Sequence, residues 1–261
     1  MLFLLPPSET KLDGGSSASR LELDGLAYPG LTGVRRDVIG RLSLLASDDV
    51  AALSALKLGP RQLHEVVRDR EIETSPTMRA LSRYTGVLFD PLDAAHLSPA
   101  AWQWAHRHIL VHSALFGPVR ATDLIPAYRL SHDSRLPGAS LRSTWRRPVS
   151  EVLDDAGEFV VDLRSEGYVG LGPAGDRSTY IRVVSDAGGR RRALNHFNKK
   201  SKGLLMAALL ADRPTLETAV DFFDWCQDNE IVVEPGHETL LVAETLLERE
   251  SVQVTGTGPS R

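Results

Sequence analysis

The sequence predicts an α/β (α+β) fold, a mixed sheet surrounded by helices within a single domain over residues 1–261. Two observations carry this. Short apolar runs of strand length alternate along the whole chain with segments whose apolar residues recur at helical spacing. No internal repeat and no linker divides them.

Met1–Leu5 is an apolar run closed by Pro6-Pro7, which reads as a buried strand stopped by prolines. A loop rich in Gly, Ser and charge follows to about Leu23, expected to be mobile over Gly14–Ser19. Val34, Val38, Leu42 and Leu45 repeat at helical spacing, and Ser47 reads as the N-cap of a short helix carrying Val50, Leu53 and Leu56. With the break at Leu58-Gly59-Pro60 and a helix through Leu63, Val66 and Val67, residues 48–68 read as a helix–hairpin–helix element. Ser75-Pro76 and Ser98-Pro99 each pair an N-cap with a proline at the first helical position, so each opens a short helix. Val87-Leu88-Phe89 and Ile109-Leu110-Val111 read as strands, the second ending at His112-Ser113-Ala114.

Residues 115–130 follow no simple period. Leu141–Leu153 reads as helix with Pro148 as a point of restart, then Phe159–Leu163 and Tyr180–Val184 as strands. The Asp-Ala-Gly-Gly turn and basic return segment after Val184 signal a hairpin. Helices are expected over 203–211, over Thr215–Gln227 with Ala219, Phe222, Phe223 and Cys226 on one face, and over His237–Glu250. Ile231–Val233 reads as a short strand, and the tail from residue 252 as frayed.

Composition narrows the function classes. Hydrophobic residues make up 42% and charged residues 25%, as in ordinary globular proteins. The net charge of −4 gives no whole-molecule attraction for nucleic acid, so polyanion binding needs a local basic patch. A single cysteine, Cys226, excludes an intrachain disulfide and a thiolate metal site. No run of ~18 apolar residues is present, so no membrane span is expected, and the absence of targeting signals points to the cytoplasm. The eight histidines form no ligand motif, so no metal is expected, and no cofactor fingerprint occurs.

Three segments collect chemistry. Pro6-Pro7-Ser8-Glu9-Thr10-Lys11 directly follows the first strand, where open sheets place ligands; Ser8 offers a hydrogen bond and Lys11 a point charge, and the alternative is a surface turn. Ser113–Leu130 is stiffened by Gly117, Pro118 and Pro126. There Arg120 and Arg129 can fork an anion, and Asp123 and Tyr128 can move a proton or orient the arginines; the alternative is a buried Arg–Asp bridge that only holds the loop. Arg190–Arg192, His196 and Asn198-Lys199-Lys200-Ser201-Lys202-Gly203 place lysines just before a helix, converging on an anion at its start or merely solvating a hairpin edge. Ser165–Tyr168 adds Glu166 and Tyr168 at a further strand end.

In order along the chain, Leu5–Lys11, Tyr84-Thr-Gly-Val-Leu-Phe89, Ser113–Leu130, Trp145, Val160–Tyr168 and Phe197–Met206 resemble the YaaA family. The chain departs from that pattern at Pro91, Ala121 and Lys202, where many members have Gly, Pro and Arg. The resemblance implies protection against peroxide by limiting free intracellular iron, an unusual α/β fold, a helix–hairpin–helix at 48–68, and a basic cleft that binds DNA. The cleft groups would be Lys11, Arg120, Asp123, Tyr128, Arg129, Lys199, Lys200 and Lys202.

Two molecular activities are consistent with these residues. One is a DNA-binding stress protein with a continuous basic groove. The other is an enzyme on a small phosphorylated or nucleotide-like anion, in which Arg120 and Arg129 bind the anion, Lys11 or Lys199 stabilises charge, and Asp123 or Tyr128 transfers a proton. Direct iron binding lacks a ligand motif.

Overall fold

The computed structural model describes residues 1–185, 192–193, 198–236 and 238–247. The strands are β1 (Leu2–Leu5), β2 (Met78–Arg79), β3 (Ile109–Ser113), β4 (Gly117–Arg120), β5 (Leu124–Ile125), β6 (Val160–Asp162), β7 (Ser178–Ser185), β8 (Arg192–Ala193), β9 (Val233–Glu234) and β10 (Thr239–Val242). The helices are α1 (Thr32–Ala46), α2 (Asp49–Ala55), α3 (Leu63–Arg70), α4 (Ala80–Arg83), α5 (Pro99–His108), α6 (Leu141–Asp155), α7 (Glu166–Val169), α8 (Asn198–Asp212) and α9 (Ala219–Asp228).

The main sheet runs β4-β3-β1-β6-β7-β10-β9, with β8 also paired to β7. Its centre, β3-β1-β6-β7-β10, is parallel, and β4, β8 and β9 add antiparallel edges. A separate antiparallel pair joins β2 to β5. β1 is apolar without alternation because both faces are covered: every residue of Leu2–Leu5 is wholly buried. Each such side chain contributes about 1.5–3 kcal/mol. Phe3 packs against Trp104 of α5 and Phe222 of α9, with ring centroids 5.8 and 5.7 Å away. α6 is pinned by Trp145, whose indole N–H donates to the Ala114 carbonyl, in the turn between β3 and β4, at 2.9 Å. The parallel arrangement brings the carboxyl ends of β1, β3 and β6 to one edge.

The α/β mixed sheet matches the sequence expectation; several local elements differ. Asp48, not Ser47, caps α2, accepting from the Val50 and Ala51 amides, while the Ser47 hydroxyl turns back to the Leu44 carbonyl. The helix after Ser75-Pro76 opens only at Ala80, because residues 78–79 pair with β5 first. Val87-Leu88-Phe89 is not a strand. Asp90 Oδ1 accepts from the Gly86 amide and the Gly86 carbonyl accepts from the Phe89 and Asp90 amides, closing a tight turn. α6 runs continuously through Pro148. Residues 239–242 are not helix: Thr239-Leu-Leu-Val242 extends the sheet beside β7. α8 starts at Asn198, so Lys199, Lys200 and Lys202 lie within its first turns instead of preceding it. The loop expected to be mobile is tied to the body by bridges at Lys11–Tyr84 and Ser16–Thr77. Arg190, Arg191, His196, His237 and the tail lie outside the described residues.

α8 lies directly against the turn at Leu88, and Gly203 permits that approach. A Cβ there would sit 2.4 Å from the Leu88 carbonyl oxygen, a backbone atom with no room to yield. Gly203→Ala is therefore expected to cost about 1–3 kcal/mol despite alanine's better helix propensity, read as a lower urea midpoint.

Candidate functional site at the strand ends

Immediately after β1, Pro6-Pro7 turns the chain and returns Lys11 to the interior, where it is 8% exposed. Its ammonium donates to the Ser8 and Glu9 carbonyls at 2.9 and 3.3 Å. It lies 4.1 Å from the centre of the Tyr128 ring and 5.5 Å from that of Tyr84, and among the described residues no carboxylate is within ion-pair distance. Burial, reinforced by the nearby Arg129 charge, lowers its pKa to about 7. Beneath it, the Tyr84 and Tyr128 hydroxyls are 2.9 Å apart, and Tyr128 is 2.7 Å from Ser113 Oγ. Ser113 Oγ in turn accepts the Leu115 and Phe116 amides, each at 3.0 Å. Burial raises both phenols well above their ordinary value, so they remain protonated donors.

The last turn of α3 delivers Asp69 to this region. Asp69 is wholly buried; its Oδ1 accepts the Arg129 amide at 2.7 Å and its Oδ2 has no partner. Burial raises its pKa to about 8. The Arg129 guanidinium pairs with the exposed Glu9 at 2.8 Å, leaving its buried Nε unpartnered.

Beyond β1, at the end of β6, Arg164 forms a bidentate pair with Asp162, 2.9 Å from Nε to Oδ1 and 2.6 Å from Nη2 to Oδ2. Its Nη1 donates to His112 Nδ1 at 2.6 Å and to the Gly172 carbonyl at 2.8 Å. Because Nδ1 accepts, neutral His112 carries its proton on Nε2, which is buried and unpartnered. Burial and the Arg164 charge hold His112 neutral, its pKa well below the ordinary value. Lys202, 2% exposed, donates to the Arg164 carbonyl at 3.4 Å and lies 5.0 Å from the Tyr180 ring centre; burial lowers its pKa to about 8. Beside this half, the Tyr168 ring meets those of His112 and His132 at 6.2 and 5.0 Å.

Thus Lys11, Tyr128 and Arg129 meet in one region, with the half-buried Ser8 at its mouth, bonded to Thr10 at 3.2 Å. Lys202 joins the Arg164 half. Lys199 is exposed and Lys200 half-buried in the first turn of α8. Arg120 and Asp123 do not join them. Arg120 pairs with Leu110, three residues back from the carboxyl end of β3, about 10 Å along the strand. Its guanidinium donates to the His106 carbonyl at 2.8 Å, and Asp123 Oδ2 accepts the Ala27 and Arg120 amides at 2.8 and 3.0 Å. β4 runs antiparallel to β3 and carries both toward the opposite edge of the sheet, where these bonds hold the loop.

Sequence reasoning did not single out Asp69, Tyr84, His112, Arg164 or Ser201 as site groups. Asp69 and Arg164 look like ordinary charges until the fold buries them. Among the described residues, four buried side-chain atoms have no hydrogen-bond partner: Asp69 Oδ2, His112 Nε2, Arg129 Nε and Ser201 Oγ. Each belongs to this region or to a residue adjoining one of its members, and such orphans are rare unless a ligand or water completes them.

The fold and this edge define an α/β protein with a polar, largely buried site at the carboxyl ends of parallel strands. The profile of a family described as peroxide stress protein YaaA matches residues 1–227, and the chain belongs to that family. It is 40% identical over 249 residues to a UPF0246 protein of Corynebacterium glutamicum, covering 92% of this chain and 98% of the relative. A UPF0246 protein of Corynebacterium efficiens is 40% identical over 90% of this chain and 95% of its own length. One from Streptomyces coelicolor is 39% identical, over 87% and 90%. No helix among the described residues is long and apolar enough to cross a membrane.

Proposed function

We propose that this family member serves peroxide resistance as an enzyme on a small anionic, nucleotide-like substrate held at the strand ends. The observation that carries this is Lys11: an amine buried over two tyrosines with no carboxylate partner among the described residues, beside orphaned polar atoms of Asp69 and Arg129. A structural network would satisfy those atoms, and leaving them unsatisfied costs stability. Lys11 then exchanges a proton near neutral pH, a task for which the strongly protonated Tyr128 is unsuited. Tyr84 and Tyr128 donate hydrogen bonds, Arg129 and neutral His112 bind acceptor oxygens, and Lys199 and Lys200 draw the anion toward the first turn of α8. The iron-limiting role implied by the resemblance belongs, on this reading, downstream of the reaction.

The exposed Lys199 favours a second reading, in which the first turn of α8 contacts DNA. Titration separates the two. With a panel of mononucleotides and phosphate esters, the enzyme reading expects a saturable binding event at the strand ends that Lys11→Met removes and Lys199→Ala/Lys200→Ala weakens only modestly. The DNA reading expects binding of duplex or single strands that falls steeply with salt and is lost in the double lysine variant. Salt-steep DNA binding with no Lys11-dependent binding of small anions would overturn the enzyme assignment.

A further inference from the structure

A cavity of ≈ 630 Å³ lies away from the strand ends, between α5 and the segments carrying Arg79 and Thr122. Pro99, Trp102, Gln103 and His106 line it at helical spacing, so one face of α5 forms its wall. Across from them, β2 supplies Arg79, whose guanidinium carbon sits 4.5 Å from the centre of the Trp102 ring. Arg107 lines the same cavity, and none of the lining residues is acidic. Both arginines are exposed, and neither has a carboxylate partner among the described residues. His106 Nδ1 is bonded to Thr122 Oγ1 at 2.6 Å, which fixes that ring at the cavity wall. Arg120, its guanidinium on the His106 and Arg107 carbonyls at 2.8 and 3.4 Å, adds positive charge beside the cavity.

We propose that this cavity is a second binding site, independent of the strand-end site, for a small aromatic phosphate ester of mononucleotide size. The ring packs on Trp102, and the phosphate is held by Arg79 and Arg107. The volume falls in the range of small-molecule sites. An unpaired guanidinium pair beside an indole supplies the two complementary features of such a ligand: a planar apolar body and a compact anion. Of the four tryptophans, Trp104, Trp145 and Trp225 are buried, and only Trp102 keeps a partly open ring. The pocket is assembled from residues far apart in sequence, Arg79 on β2 and Trp102 and Arg107 on α5.

Isothermal titration with adenosine 5′-monophosphate tests this. The full chain carrying Lys11→Met is used, so that the strand-end site does not contribute. One saturable event is expected, with adenosine alone and inorganic phosphate alone each binding at least about tenfold more weakly. Adding Trp102→Leu or Arg107→Ala is expected to weaken the nucleotide by about tenfold or more, the size of a lost charge-assisted contact. Both positions are at least partly exposed, so circular dichroism should report an unchanged fold. No saturable heat at millimolar nucleotide overturns the assignment, as does binding indifferent to both added substitutions.

Discussion

Arg164→Met is expected to destabilise the protein by about 3–5 kcal/mol, the largest stability loss of any substitution considered. Arg164 and Asp162 are buried together, with side-chain exposures of 0% and 5%. Removing the guanidinium leaves the Asp162 carboxylate in the interior with its charge uncompensated. It also strips the donor from His112 Nδ1 and from the Gly172 carbonyl. For a chain of this size the loss corresponds to a melting temperature lower by about 6–20 °C. The double variant Asp162→Asn/Arg164→Met should recover part of it, because no charge is then buried alone. An effect below about 1 kcal/mol would be that of an exposed ion pair and would contradict the burial of this one.

Lys11→Met is expected to do the reverse: to stabilise the fold by about 1–2 kcal/mol at neutral pH while abolishing function. Met fills the same channel over the rings of Tyr84 and Tyr128 without a charge to desolvate. The pH dependence checks the cause. In the folded protein Lys11 has its pKa lowered from 10.5 to about 7, so below pH 7 its charging favours the unfolded chain. That penalty is relieved as pH rises from about 7 to 10.5, by at most about 1.4 kcal/mol per pH unit. Asp69 acts oppositely, because its pKa is raised from 3.8 to about 8. The folded state holds that proton, and stability falls as pH rises from 3.8 to 8. Between 7 and 8 the two trends oppose each other. Urea midpoints measured from pH 6 to 10 should rise in the upper part of that range for the wild type and lose that rise in Lys11→Met.

What the sequence made legible follows from where the information resides. β1 could be read because a strand covered on both faces is apolar at every position, as in Leu2–Leu5, and β3 and β6 because each opens on an apolar run, Ile109–Val111 and Val160-Val161. α5 could be read from Ser98-Pro99, since its cap is local, Ser98 accepting the Ala101 amide. Val87–Phe89 misled because apolar residues in a tight turn look like a strand, and the deciding bond, Asp90 to the Gly86 amide, is a side-chain choice. Lys11, Tyr128 and Arg129 could be grouped because they follow strand ends. Arg120 and Asp123 share their loop in sequence, but the four residues of antiparallel β4 carry them toward the other edge. Asp69, brought from α3 to the Arg129 amide, depends on a contact sixty residues apart that no local pattern encodes.

Survival under hydrogen peroxide of a bacterial host deleted for its own family member, complemented with this chain, tests the central claim most directly. Folded, stably expressed Lys11→Met should give no protection, while Lys199→Ala/Lys200→Ala should retain most of it. Full protection by Lys11→Met, with protection lost in the double lysine variant, would contradict a strand-end active site and place function on the exposed start of α8.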